Sequence, residues 1–323
     1  MKELTSATIR VMSRLGSCGA FGMAAMELPE VDDSLSIVTA DLCFYSGLDR
    51  FREKYPERFY NVGIAEQNLL GVAAGLAKEG FTTFATTYAS FAVTRALDQV
   101  RVNMGYMKLP VKLVGLTSGF SVSVLGATHT CIEDLAIARS IPNMVVLSPA
   151  DCTETYKAVI AAASYPGPVY LRLTGTMNNP IVYKEEYSYE IGKAIKLRDG
   201  EDVAIVATGT MVDRSLKAAD ILEEQGISCK VIDMHTIKPL DGAMVEEAFQ
   251  TKLVVTVEEH SIRGGLGSAV AEYMASVEKK APQMMLGVPD EFTHAASYEY
   301  ILTKYGLTSE QIAHNIGSRL QGH

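Results

Sequence analysis

The chain has 323 residues, 29 of them Lys or Arg and 38 Asp or Glu, for a net charge of −9, with 48% hydrophobic residues and five cysteines. An acidic balance argues against a nucleic-acid partner, which selects a basic face, and no apolar run reaches the roughly eighteen residues of a membrane span. The amino-terminal MKELTSATIR lacks the apolar core of a secretion signal and the cysteines show no CxxC or metal-ligand spacing, so a soluble cytoplasmic protein with reduced thiols and no metal-ligand set of its own is expected.

The length exceeds that of one hydrophobic core, and two domains are expected. In chain order, SIVTAD, TTFATT, VKLVGL, MVVLSP and PVYLRL are short apolar or β-branched runs that read as strands, separated by helical stretches such as AEQNLLGVAAGLAKEG and DLAIARSI. Nearly continuous apolar strands between helices mean a mainly parallel sheet covered on both faces. Such sheets bind ligands beyond their strands' carboxyl ends, where Asp41, Thr86, Tyr88 and Thr117 fall. The polar stretch TGTMNNPIVYKEEYSYEIG, with Pro180, marks a linker. It divides the chain into a first domain over 1–178, a linker over 179–191 and a second domain over 192–323. DVAIVATGT, DRSLKAADILEEQG, CKVIDMHTIKPLD and KLVVTVEEHS repeat the alternation. The fold class is therefore α/β, with two wound, mainly parallel-sheet domains. GGLGSAV (264–270) lacks dinucleotide or P-loop spacing and reads as the close packing of a helix start.

Glu66 is the most informative residue, because FYNVGIAEQN sets it at the start of an apolar helix. The positive end of the helix dipole favours a first-turn glutamate. A carboxyl sunk among apolar residues also suits a ligand that needs a hydrogen bond from an acid, since burial favours the protonated form. Downstream, Tyr88 and Phe91 are either core aromatics or rings for a planar heterocycle. His129 in GATHT projects from a turn or helix start, and a neutral imidazole there both donates and accepts. Arg172, at the end of PVYLRL, is either half of an ion pair or a bidentate fork for oxygens. Cys43 and Cys131 read as small buried thiols.

In this order, FYNVGIAEQN, TTYASFAVTRALDQVR, GATHT and IPNMVVLSPAD resemble the pyrimidine-binding domain of transketolases. VIDMHTIKPLD and VVTVEEHSIRGGLGSAV resemble the transketolase C-terminal domain, so the resemblance covers essentially the whole chain. It implies thiamine diphosphate as cofactor. Glu66 would hydrogen-bond the aminopyrimidine ring, with Asp41, Leu42, Tyr88 and Phe91 lining the cofactor and Glu66 and His129 as the catalytic residues. Arg172, Leu125 and Thr117 would face the substrate. The diphosphate and its divalent metal (Mg2+, or Ca2+ or Mn2+) need hard oxygen ligands, which the family supplies from a GDG motif, and no GDG occurs in these 323 residues. The resemblance therefore implies the C-terminal subunit of a split transketolase, inert alone. Its cofactor would lie between it and a separate N-terminal, diphosphate-binding subunit in an α2β2 assembly, and the reaction would carry a ketol unit from a ketose donor to an aldehyde acceptor.

The substrate side departs from the family. The acids of its GEDG motif become Val124 and Leu125, a histidine becomes Thr117, and the arginine of a TRxA motif becomes Ser6. An apolar pair leaves a buried substrate hydroxyl unsatisfied at a cost of about 1–3 kcal/mol, which points to a modified, less hydroxylated or non-phosphorylated ketose, or another 2-oxo compound. Other readings are a 1-deoxyxylulose-5-phosphate synthase-like subunit, although that family's second histidine is Cys131 here, a 2-oxo-acid dehydrogenase β-like subunit, and a non-catalytic partner protein.

Overall fold

A computed structural model describes residues 4–278 and 280–322. Among the described residues the first half gives six strands: β1 (Ser36–Thr39), β2 (Phe59–Asn61), β3 (Thr83–Tyr88), β4 (Lys112–Leu116), β5 (Val145–Leu147) and β6 (Val169–Arg172). Six more follow: β7 (Ile195–Arg198), β8 (Val203–Ala207), β9 (Cys229–Asp233), β10 (Thr236–Lys238), β11 (Leu253–Ser261) and β12 (Gln283–Val288). They form two sheets, in the orders β10-β5-β6-β4-β3-β1-β2 and β12-β11-β8-β9-β7. Every neighbour pair is parallel except β10 on β5 and β7 on β9.

Alternate residues of the central strands feed opposite faces of the first sheet, as a period of two dictates. Val38, Ala85, Leu113, Val146 and Tyr170 join one apolar cluster, which takes in Leu69, Leu70, Ala73 and Ala77 of the helix Glu66–Lys78. Ile37, Phe84, Val114, Leu147 and Leu171 join another, where Ala20, Phe21 and Ala24 of the helix Ser6–Ala25 meet Ala158, Val159 and Ala162 of the helix Cys152–Ser164. Coverage on both faces is what lets these strands be apolar throughout. Among the described residues no helix is long and apolar enough to cross a membrane.

Two features depart from the sequence reading. Phe59–Asn61, read only as the approach to the helix start, is the edge strand β2, which pairs with β1 through Ile37↔Phe59 and Thr39↔Asn61. CKVIDMHTIKPLD, read as one segment of the second domain, splits: β9 enters the second sheet, while β10 lies antiparallel on β5 and extends the first. The carboxyl-terminal half thus completes the first sheet.

Buried charge ties the halves together. Arg172 Nε donates to Asp134 Oδ2 at 2.8 Å, and Arg172 Nη2 donates to the Glu259 carbonyl of β11 at 2.8 Å. Glu259 Oε2 accepts from Thr210 and Tyr298, each at 2.6 Å. The neighbouring Glu258 accepts the backbone N–H groups of Leu266 and Gly267 at 2.7 and 2.8 Å. This carboxylate fills the helix start at GGLGS, and a Cβ on Gly265 would come within 2.0 Å of it. The glycines permit that close approach, and the backbone donors serve the chain's own packing.

Candidate functional site

The strand ends β1, β3 and β4 open side by side, because Val38 pairs with Ala85 and Tyr88 with Leu116. Just past β1, Asp41 sits at φ 60° and Thr117, past β4, at φ 52°, left-handed conformations that turn the chain sharply off the sheet. The Asp41 turn is fixed by Asn61 of β2. Asn61 donates from Nδ2 to Asp41 Oδ1 at 2.9 Å, and its Oδ1 accepts the Asp41 and Gly63 N–H groups at 3.1 and 3.0 Å. The Leu42 N–H donates to Thr39 Oγ1 at 3.2 Å, and Leu42 is half-buried beside this turn.

Glu66 is the first residue of its helix and only 4% exposed. The non-helical Ala65 precedes it and supplies no side-chain cap, so the carboxylate stands at the orphan N–H end of the helix. Arg95 Nη1 donates to Glu66 Oε1 at 2.8 Å, and among the described residues no second side chain engages this carboxylate. Phe91 follows β3 in a π-helical turn, Phe91–Arg95, an irregularity frequent at functional sites. Its ring centroid lies 5.9 Å from that of Tyr88 and 5.4 Å from that of His129, and Tyr88 and His129 are 5.8 Å apart. These three rings therefore form one edge-to-face cluster. Burial, then the neighbouring Tyr45 and Cys18, push the Tyr88 hydroxyl above its ordinary pKa. His129 Nδ1 lies 2.9 Å from Thr128 Oγ1, which occupies that nitrogen and leaves Nε2 free of any protein partner among the described residues.

The remaining expected residues divide. Leu125 shares the short helical turn Ser123–Thr128 with the approach to His129, and Val124 and Leu125 are 68% and 51% exposed. Thr117 stands at its strand end with Oγ1 buried and lacking a hydrogen-bond partner among the described residues. Arg172, expected to reach the donor's phosphate, lies elsewhere: its side chain and that of Asp134 are 0% exposed, and it spans to β11. Burial opposes its charge, yet the charge and hydrogen bond of Asp134 hold its pKa above the ordinary arginine value. A guanidinium sealed this way is not presented to a substrate. Cys131 is fully buried and Cys43 nearly so, and burial raises both thiol pKa values.

Two residues at the rim escaped the sequence reading. Asn61 had no signal beyond its place before VGIAEQN, whereas Arg95, four residues after Phe91, had a spacing that hinted at a contact with that ring.

Fold and site together define a wound, two-domain α/β protein with a buried acid, an aromatic cluster and a histidine gathered beyond the carboxyl ends of its first sheet. Residues 17–178 match the family model of the transketolase pyrimidine binding domain and residues 192–312 that of the transketolase C-terminal domain. The chain belongs to the transketolase family, and this membership implies a dependence on thiamine diphosphate. It is 42% identical over 298 residues to a putative transketolase C-terminal section of Methanocaldococcus jannaschii, covering 92% of this chain and 93% of that protein. It is 39% identical to the 6-deoxy-6-sulfo-D-fructose transketolase subunit SqwH of Clostridium sp. strain MSTE9, covering 91% and 92%. A solved structure described as a split gene transketolase, inactive β4 tetramer, superposes with a TM-score of 0.86 at 40% identity, covering 95% of this chain and 98% of that one.

Proposed function

We propose that this chain supplies the aminopyrimidine half of a thiamine diphosphate site. With a separate diphosphate-binding subunit, in an α2β2 assembly, it would form a transferase that moves a two-carbon ketol unit from a ketose to an aldehyde. The observation that carries this reading is Glu66, a carboxylate 4% exposed at the open end of a parallel sheet, whose side-chain partner among the described residues is the half-exposed Arg95, which also lies over the Phe91 ring. An aminopyrimidine fits that pair, since it is flat enough to stack on Phe91 and carries a ring nitrogen for Glu66. When bound, thiamine diphosphate supplies the carbon nucleophile and the electron sink for the transferred fragment.

The chain's own residues have separate tasks. Glu66 hydrogen-bonds the ring nitrogen and orients it. Phe91, with Tyr88, gives a stacking face worth about 1 kcal/mol beyond area burial. Asp41 and Leu42 wall the cofactor at the β1 end. His129, its Nδ1 occupied by Thr128, offers Nε2 to hold or move a proton at the donor's carbonyl or hydroxyl oxygen. The metal, a hard divalent cation such as Mg2+, Ca2+ or Mn2+, would be held with the diphosphate mainly by the partner.

Val124 and Leu125 present apolar surface where a sugar hydroxyl would need a partner, and Thr117 adds only a hydroxyl. A modified ketose fits better than an ordinary sugar phosphate, and the relative named for 6-deoxy-6-sulfo-D-fructose supports that choice. The test is turnover of the assembled enzyme over a donor series. Modified or non-phosphorylated ketoses are expected to exceed xylulose 5-phosphate, and Glu66→Ala is expected to abolish turnover of all of them. Unchanged turnover in Glu66→Ala would overturn the cofactor role.

A further inference from the structure

Arg95 covers both surfaces that the aminopyrimidine needs. Its Nη1 bonds Glu66 Oε1 at 2.8 Å, and its guanidinium carbon lies 4.2 Å from the centroid of the Phe91 ring. Its side chain is 48% exposed while Glu66 is 4% exposed, and the Phe91 ring beneath the guanidinium is half-buried. A guanidinium is planar, carries N–H donors along its edge and stacks on aromatic rings. An aminopyrimidine protonated on its ring nitrogen has the same three properties. The two groups therefore compete for the same carboxylate and the same ring face.

We propose that Arg95 is a positioning residue of the cofactor site: in the cofactor-free chain its guanidinium stands in for the aminopyrimidine on Glu66 and Phe91, and cofactor loading displaces it. This inference rests on the reading of Glu66 and Phe91 as aminopyrimidine contacts. The pair keeps a carboxylate that would otherwise stand buried without a partner satisfied until loading. The π-helical turn Phe91–Arg95 makes the exchange possible, because it places Arg95 back over the ring that opens the turn. One half-exposed ion pair and one exposed cation–π contact are weak enough to be given up. Arg172 could not be exchanged this way, since its guanidinium is sealed and tied to two elements.

The test is calorimetric titration of thiamine diphosphate with Mg2+ into the full chain assembled with its diphosphate-binding subunit. Arg95→Ala is expected to bind the cofactor about five- to tenfold more tightly than wild type, because the ion pair and the cation–π contact no longer have to be broken. Added guanidinium ion, at concentrations well below those that unfold the protein, should reverse that gain in Arg95→Ala and leave wild type unaffected. Arg95→Lys keeps the charge and loses the planar fork, and should fall between the two. Equal or weaker binding in both Arg95→Ala and Arg95→Lys would overturn the placeholder role. Glu66→Gln separates the two claims. If it binds cofactor as tightly as wild type, the aminopyrimidine reading itself falls. If it binds weakly while Arg95→Ala shows no gain, only the placeholder falls.

Discussion

Two arginine–carboxylate pairs of equal length sit in opposite settings. Arg95 and Glu66 meet at 2.8 Å at the rim, with Arg95 half-exposed, and Arg172 and Asp134 meet at 2.8 Å in the interior, with both side chains at 0% exposure. At the junction the partners are themselves buried: Tyr170 and Arg172 share Asp134 Oδ2, while Asp134 Oδ1 and Arg172 Nη1 stay sealed without a hydrogen-bond partner among the described residues, and Glu259 Oε2 takes Thr210 and Tyr298. At the rim the carboxylate has one side-chain partner among the described residues, and that partner is half-exposed. A residue type alone therefore does not mark a site. What marks it is a charged group whose partner can leave.

The comparison is sharpest where a pair is cut. Arg172→Met strands Asp134 in the interior and is expected to lower unfolding free energy by about 3–5 kcal/mol, read by denaturant titration. A loss under about 1 kcal/mol would mean that the interior pair is no more structural than the rim pair. His129→Ala should lower turnover of the assembled enzyme about a hundredfold, with a thermal midpoint close to wild type. A parallel fall in midpoint would recast His129 as a packing residue.

Titration gives a smaller effect. Burial raises the Glu258 carboxyl to about 7, against the pull of the Gly267 and Leu266 N–H groups. A carboxyl whose pKa is raised on folding takes up a proton as the chain folds, so its stabilising contribution is complete below the unfolded value near 4.5 and is lost as pH rises to about 7. Burial lowers the adjoining His260 to about 4, which works in the opposite sense over pH 4 to 6.5 because the unfolded chain binds the extra proton. Glu258→Gln removes the first effect and keeps the second. The variant's stability should rise with pH across this window more steeply than wild type, whatever its absolute level, and parallel curves would refute the assignment. The rim pair should cost less than the interior one: Arg95→Met leaves the Glu66 carboxylate without its partner at the open end of the sheet and should lower unfolding free energy by about 1–3 kcal/mol, and a loss comparable to that of Arg172→Met would erase the distinction between the pairs.

Much of this was legible in the sequence. The central strands announce themselves as apolar runs, and Glu66 as an acid opening an apolar helix, because both signals are local. β2 was not legible, since a short, half-exposed edge strand carries little pattern. β10 was missed because its pairing with β5 joins Thr236 to Leu147 across the two halves. Arg172 reads like a strand-end cation, and only Asp134 and the Glu259 carbonyl, distant in sequence, reveal that it is sealed. Arg95 sat in plain view one turn beyond Phe91, but its significance depends on the π-helical turn that swings it onto the ring.

The most direct measurement is calorimetric titration of thiamine diphosphate with Mg2+ into this chain alone, into its diphosphate-binding partner alone and into the mixture, with wild type and Glu66→Gln in parallel. A shared site predicts tight binding in the wild-type mixture only and clear weakening with Glu66→Gln. Equally tight binding by either chain alone, or by the Glu66→Gln mixture, would contradict it.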